Sequence, residues 1–216
     1  MIAFVGGTGP EGLGLACRFA LAGEEVGIGS RSRERALEAA AKVRAKVPEA
    51  RVFGDENQDV VRRGEIIFVT LPFTAHRSTL EGLREEIGDK VVIDVTVPVA
   101  FQEGIFVAVP VAEGSAAEQT QALLPQARVA SGFHHLDAAH LMRVERAVEG
   151  DIIVCGDHRE AKEAALALAA EVQGARAVDG GPLQSARYLE AFTVLLLTLN
   201  KLHKARTGLH ITGLRV

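Results

Sequence analysis

Ile2-Ala3-Phe4-Val5-Gly6-Gly7-Thr8-Gly9-Pro10-Glu11-Gly12-Leu13-Gly14 opens the chain, one residue after Met1. Four uncharged apolar residues run directly into a glycine loop, and a helical pattern follows over residues 14–22. Inside the loop, Gly7-x-Gly9-x-x-Gly12 has the G-x-G-x-x-G spacing. Such a loop needs one glycine for a tight turn, one for close approach of backbone to a pyrophosphate, and one for close helix–strand packing. The helix that begins there presents unpaired N–H groups and a partial positive charge to phosphate oxygens. The spacing alone is a weak signal, but strand before and helix after is the context it demands. A merely structural glycine turn is the competing reading, and those flanking elements weigh against it.

The rest of the chain keeps the same rhythm. Short apolar runs recur at residues 26–28, weakly at 51–53, and at 128–131, while 66–71 and 91–95 are strong, rich in β-branched residues and without polar alternation. Runs of that kind suit strands covered on both faces of a parallel sheet. Amphipathic or Ala-rich segments at 33–46 and 74–87 read as intervening helices. The alternation predicts an α/β fold, a Rossmann-like doubly wound parallel sheet. After residue 145 the pattern changes to a strand at 151–155, a helix at 160–172, a short strand at 175–178 and a long helix at 183–204. The expected organisation is a nucleotide-binding domain over 1–145 and a small C-terminal α+β domain over 146–216.

The end of the second strand selects the nucleotide. NAD-binding folds place an Asp or Glu about 20 residues past the glycines, on the ribose 2′-OH. Here the strand ends in Gly29-Ser30-Arg31-Ser32-Arg33, with Arg35 beyond, and no carboxylate. A hydroxyl and guanidinium groups suit the 2′-phosphate of NADP through charge-assisted bonds. An arginine near a helix N-terminus also opposes the macrodipole, which a bound anion relieves.

Composition excludes several other classes. The chain has 216 residues, 48% hydrophobic and 24% charged, with a net charge of -4, which is neither a disordered composition nor a basic one that would drive nucleic-acid binding. Cys17 and Cys155 are too few for a disulfide framework. No apolar run approaches the ~20 residues of a membrane span, and no leader precedes the first strand, so the reading expects a cytoplasmic protein without a membrane part. The long leucine-rich C-terminal helix predicts a homodimer contact.

With these residues in view, the chain closely resembles the NADPH-dependent reductases of the deazaflavin coenzyme F420. The resemblance rests on Phe4-Val5-Gly6-Gly7-Thr8-Gly9, Gly29-Ser30-Arg31, Phe68-Val69-Thr70-Leu71-Pro72, Val97-Pro98-Val99, Ser131-Gly132-Phe133-His134, Val154-Cys155-Gly156-Asp157 and Gly181-Pro182-Leu183. The oxidoreductase domains of membrane ferric reductases look similar. The resemblance implies direct hydride transfer between NADPH and a deazaflavin, with positioning supplying most of the catalysis. It implies that Gly7, Thr8, Gly9, Pro10, Glu11 and Gly12 form the pyrophosphate loop and that Ser30, Arg31 and Arg35 hold the 2′-phosphate. Leu71, Pro72, Val97 and Pro98 would line the nicotinamide side, and His134 would stand beside the ring system as the catalytic-site residue. His76 is counted on the cofactor side, as a cap-region residue rather than a catalyst. Departures from the family pattern are the second histidine, His135, the pair Thr96-Val97, and His210 in the C-terminal stretch, all expected at the acceptor pocket.

Other readings share the frame. His134, His135, Asp137 and His140 form a local cluster whose imidazoles and carboxylate suit Zn or Fe, but sequence neighbours on an extended segment point apart, and no metal is assigned. An NADP-dependent reductase of a small carbonyl, an imine, a flavin or ferric iron is one alternative. Carbonyl reduction usually needs a proton donor, commonly Lys, His or Tyr; Lys90 is misplaced for it, and Tyr188 is the chain's only tyrosine. A non-catalytic NADP-sensing module is the other.

Overall fold

The computed structural model describes residues 1–214; the last two residues of the expected C-terminal segment lie outside the described residues. β1 (Ile2–Val5) leads through the glycine loop into α1 (Pro10–Leu21). β2 (Val26–Ser30), α2 (Arg33–Lys46), β3 (Val52–Glu56), α3 (Asn57–Arg63) and β4 (Ile66–Val69) follow. α4 (Phe73–Gly82) and the single turn α5 (Arg84–Ile87) lead to β5 (Val91–Asp94). Next come a hairpin, β6 (Val99–Gln102) with β7 (Ile105–Ala108), then α6 (Ala116–Leu123), β8 (Arg128–Ser131) and the short α7 (Ala138–Leu141). β9 (Gly150–Gly156), α8 (Arg159–Glu171), β10 (Ala175–Asp179), a 3-10 turn (Leu183–Ser185) and α9 (Ala186–His203) complete the chain.

One sheet holds eight strands in the order β10-β9-β8-β5-β4-β1-β2-β3, and β6 with β7 stands apart. The six strands from β8 to β3 in that order are parallel, with Phe4 paired to Ile28 on one side and Phe68 on the other. Chain order reverses between β1 and β4, which opens a crevice at the strand C-termini. The inner strands β1, β2 and β5 are buried along their whole length, as strands covered on both faces require, while the edge strands β3 and β10 are partly open. Ile2 and Phe4 pack with residues of α1, α2 and α8; Ala3 and Val5 pack with residues of α3, α4, α6 and α9.

Beyond residue 145 the strands extend this same sheet. β9 pairs antiparallel with β8, and β10 parallel with β9. Core contacts run without a break from β1 to α8. Glu190 of α9 accepts the backbone N–H groups of Ala116 (2.9 Å) and Ala117 (3.3 Å), satisfying orphan donors at the start of α6. Among the described residues no helix is long and apolar enough to cross a membrane.

Candidate active site

The glycine loop divides its labour differently from the spacing alone. Gly6 takes the left-handed turn (φ 73°), and its N–H donates to Asn57 Oδ1 at 3.1 Å. Gly7 is buried, and a Cβ there would meet Phe4 Cβ at 2.6 Å, so its part is close packing beneath the loop rather than contact with a ligand. A Cβ on Gly12 would lie 2.8 Å from Gly7 Cα and 2.9 Å from Thr70 Oγ1. Gly9 faces open space. Its exposed backbone and the start of α1 form the floor of a cavity of about 610 Å³. Ser30, Arg31 and Arg35 line one end of that cavity, and Leu71 and Pro72 the other. Arg33 is spent on Asp55 at 3.4 Å, whereas Arg31 and Arg35 make no ion pair among the described residues. Ser32 caps α2, its hydroxyl accepting the Arg35 N–H at 3.4 Å, which leaves the neighbouring guanidinium groups free to turn to the cavity. These residues fit a dinucleotide with a 2′-phosphate: an open backbone at Gly9, a helix N-terminus, and two uncommitted cations at the ribose end.

A second cavity, about 720 Å³, lies on the other side of the loop. Val97, His134, His135, Leu136 and Met142 form its inner wall, and Thr193, Leu196 and Asn200 of α9 close it. Lys46, Arg143 and Arg206 stand among its lining residues as cations. Pro10, Glu11 and Val95 border both cavities. They mark where a molecule in one space meets a molecule in the other.

Packing of Phe133 places the two histidines. Its ring lies 5.4 Å from Phe68 and 5.9 Å from Phe19, and its backbone is left-handed at φ 68°. A non-glycine residue in that region stores strain of about 1–3 kcal/mol, and the buried aromatic cluster holds it there. The turn that results aims His134 inward, 4% exposed, with neither ring nitrogen hydrogen-bonded. Burial, then His135, pushes the His134 imidazole down to about 3. Burial likewise pushes His135 down to about 4, and its Nε2 sits 2.9 Å from the Asp151 carbonyl oxygen. Both rings are therefore neutral, able to donate at one nitrogen and accept at the other.

One buried arginine ties the two cavities together. Arg18 of α1 is 2% exposed and donates to the carbonyl oxygens of Leu141 (2.9 Å), Arg146 (2.8 Å), His140 (2.7 Å) and Arg143 (2.8 Å). The segment it gathers carries Ala138, Ala139, Met142 and Arg143 to the second cavity. Gly14 permits the approach, since a Cβ there would meet Leu141 Cβ at 2.6 Å. The helix that faces one ligand site thus organises the wall of the other.

Comparison with known proteins agrees with this geometry. A family profile described as "NADP oxidoreductase coenzyme F420-dependent" matches residues 1–98. The F420-dependent NADP reductase of Methanothermobacter thermautotrophicus is 42% identical over 220 residues, covering 99% of this chain and 95% of that protein. The chain belongs to the F420-dependent NADP oxidoreductase family. A second family member, from Methanocaldococcus jannaschii, is 38% identical and is covered over 99% of its length. Among solved structures, a crystal structure titled as a putative F420-dependent NADP-reductase from Arthrobacter sp. FB24 superposes with a TM-score of 0.82 at 26% identity, over 98% of both chains.

Of the residues that the family resemblance singles out, Thr8, Gly9, Pro10, Glu11, Gly12, Ser30, Arg31, Arg35, Leu71 and Pro72 come together around the first cavity, and Val97 and His134 around the second. Gly7, Thr96, Pro98, His210 and His76 line neither cavity, Gly7 because it packs beneath the loop and Thr96 because it is buried just past β5. Pro98 is buried at the root of the β6–β7 hairpin, its carbonyl accepting the Val109 N–H at 2.8 Å. His210 sits against Asp151 at 3.6 Å, away from the acceptor cavity. His76 is fully buried and borders neither cavity. Its Nε2 meets Asp94 Oδ2 at 2.9 Å and its Nδ1 meets Gln119 Oε1 at 3.0 Å. Burial disfavours charge on both members, yet the pairing and hydrogen bonds win: His76 is raised and Asp94 lowered. Asp94 Oδ1 then accepts the Thr96 N–H at 2.7 Å, so the pair fixes the strand end from which Val95 and Val97 reach the cavities. His76 acts behind the wall and does not touch a ligand site.

Sequence reasoning also missed residues. Asn57, which tethers the glycine turn, begins a helix too short to show a period. Arg18 had one signal, a cation within the otherwise apolar stretch Leu13 to Ala20 of α1. The cysteines are buried and their thiols pushed up to about 11 by burial, which makes them inert at neutral pH. Among the described residues no group of three or more His, Cys, Asp or Glu side chains is arranged to hold a metal ion.

Proposed function

We propose that this protein transfers hydride between NADPH and the deazaflavin coenzyme F420, in either direction. The observation that carries the reading is the pair of cavities meeting at Pro10, Glu11 and Val95. One has the loop, helix terminus and uncommitted arginines that NADP needs; the other is a mostly apolar slot for a planar ring, with cations among its lining residues for an anionic tail. Two rings held face to face at that junction need little beyond closeness and exclusion of water for hydride to pass. When bound, NADPH supplies the hydride at the nicotinamide C4. The chain's own part is to hold both rings, with Thr8, Gly9 and Gly12 at the pyrophosphate, Ser30, Arg31 and Arg35 at the 2′-phosphate, Leu71 and Pro72 at the nicotinamide, and Val97 and His134 on the acceptor side.

Residues 1–145 are read as the NADP-binding part, and 146–216 as the part that closes the acceptor cavity through α9. We also read the protein as a cytoplasmic homodimer. Tyr188 (70% exposed), Leu195 (49%) and Leu202 (70%) leave α9 with uncovered apolar area, beside Phe101 and Ile105 of the hairpin. Sedimentation at micromolar concentration is expected to give a dimer; a monomer overturns that assembly.

The test of function is spectral. NADPH mixed with the protein and F420 is expected to bleach the deazaflavin, faster than FMN, FAD or ferric chelates are reduced. Deuterium at C4 of NADPH is expected in the reduced acceptor. Label lost to water, or no reduction of any of these acceptors, overturns the reading.

A further inference from the structure

Hydride transfer from NADPH to a deazaflavin leaves one thing unsupplied: the reduced ring also takes up a proton on nitrogen. Of the three residues bordering both cavities, Glu11 alone is ionisable. Glu11 is partly covered as a residue, but its Oε1 is sealed from solvent and has no hydrogen-bond partner. A sealed, unpartnered carboxyl oxygen at the meeting point of two ligand spaces is costly unless a ligand completes it.

The geometry points to Glu11 as the acid that gives the acceptor its proton, and as the base that takes it back in the reverse direction. This rests on the function proposed above. The C4–H bond of NADPH breaks with its electron pair, which forms the new C–H bond on the acceptor carbon. The Glu11 O–H breaks and an N–H forms on the acceptor ring. NADPH is oxidised, the acceptor is reduced, and the carboxylate that remains regains its proton from solvent once the products leave. Charges match at each end of the step. A neutral carboxyl faces the uncharged dihydronicotinamide, and a carboxylate faces the nicotinamide cation.

The surroundings keep that proton in place before the step. Asp137 of the α7 turn faces Glu11 and is itself held by Arg206 at 3.1 Å. His134 and His135 stand on the β8 side, neutral. Lys46 and Arg143 line the acceptor cavity, and Arg31 and Arg35 the far end of the nucleotide cavity. Burial first, then Asp137, pushes the Glu11 carboxyl up to about 8.

Two measurements on Glu11→Gln and the wild-type protein test the assignment. The first is F420 reduction at pH 7, where glutamine keeps the size and loses the transferable proton. A fall of about 10²–10⁴-fold is expected, the range for loss of a general acid. The second needs no turnover: fluorescence titration of NADPH, and of NADP⁺ by its displacement of bound NADPH, from pH 6.5 to 9.5. Both nucleotides share their phosphates, so those charges cancel in the ratio of the two dissociation constants. In the wild type the ratio is expected to move toward NADP⁺ by about tenfold as Glu11 ionises, the equivalent of one pKa unit of differential interaction. In Glu11→Gln it is expected to stay flat. A variant with the wild-type rate, or a wild-type ratio that does not move with pH, overturns the assignment. A wild-type protein that reduces no F420 overturns the proposed function instead, and the titration still reports on Glu11.

Discussion

The nucleotide cavity and the acceptor cavity meet at common residues but are built in opposite ways. The first is made largely of backbone. Its phosphate-facing positions are glycines, a helix terminus and a strand tip within residues 6–35, and Asn57, the β4 end, α4 and Val95 complete the lining. The second is made mostly of side chains gathered from the segment after β5, the turn after β8, α7 and α9, with Pro10, Glu11 and Lys46 added from the N-terminal part, so its lining spans residues 10 to 207. Phosphate groups are much alike from ligand to ligand, so a short backbone cradle serves them. A ring substrate must be recognised by shape, and shape needs several elements at once. Substitutions in the first region should therefore abolish nucleotide binding locally, while those in the second should shift acceptor kinetics and leave the nucleotide alone.

The hardest break of that contrast is at Gly12. A methyl there meets Gly7 Cα and Thr70 Oγ1 within 3 Å, neither the far end of a flexible side chain. Gly12→Ala is expected to weaken NADPH binding by at least about 100-fold, as loop and helix are forced apart. Calorimetric titration checks it; affinity within a few-fold of wild type would sink the backbone-cradle account.

Arg31→Ser comes next and sharpens the contrast within the first region. One lost charge-assisted contact is worth about 1.5–3 kcal/mol, so NADPH affinity should fall by tens of fold. NADH, lacking the 2′-phosphate, should bind nearly as before. Equal losses for both nucleotides would mean that Arg31 supports the loop rather than reading the phosphate.

How far the sequence can be read follows the same division. β1, the glycine loop and Ser30-Arg31 are contiguous, and local chemistry alone places them. His134 was found, but the reason for its position, the left-handed Phe133 packed on Phe19 and Phe68, depends on partners more than 60 residues apart. His76 misled because it is close in sequence to Leu71 and Pro72, whereas the start of α4 turns it inward to Asp94. Some misses did carry a signal. Ser115-x-x-Glu118 is a capping box, and the Ser115 hydroxyl accepts the Glu118 N–H at 3.0 Å to start α6. Glu103-Gly104, both at positive φ, make the two-residue turn between β6 and β7. The change of pattern after residue 145 suggested a separate unit. What it marks is the reversal of strand direction at β9, within one sheet.

Arg18→Lys probes the link between the regions. Lysine keeps the charge, but a single ammonium cannot reach four carbonyl oxygens in the fork that guanidinium spans. The segment carrying Met142 and Arg143 should loosen, and KM for the acceptor should rise about tenfold, about 1.4 kcal/mol, with kcat and NADPH affinity little changed. If NADPH affinity falls in step with acceptor KM, Arg18 supports α1 as a whole, and the two cavities are not separable.

The smallest expected effect concerns acid. His134 and His135 hold folded-state values of about 3 and about 4 against an ordinary 6.5. Between those limits the unfolded chain binds protons that the folded chain refuses, so their contribution is complete above 6.5 and is lost as pH falls toward 4. Glu11 and Glu190, both raised to about 8, have the opposite sign. Folded, they keep protons that the unfolded chain has released, so their contribution is complete below 4.5 and is lost as pH rises through 8. Because the two pairs oppose each other between pH 4.5 and 6.5, the wild-type stability curve alone says little. The difference between wild type and His134→Asn isolates one imidazole. Asparagine keeps a donor and an acceptor but never titrates, so the variant should gain on wild type by about 1 kcal/mol for each pH unit below 6.5, roughly 2–4 °C in Tm. Thermal scans at pH 7.5, 6.0 and 5.0 decide it. Tm curves that stay parallel through that range would show that His134 takes a proton in the folded protein as readily as in the unfolded one, and that the acceptor cavity is wetter than its packing implies.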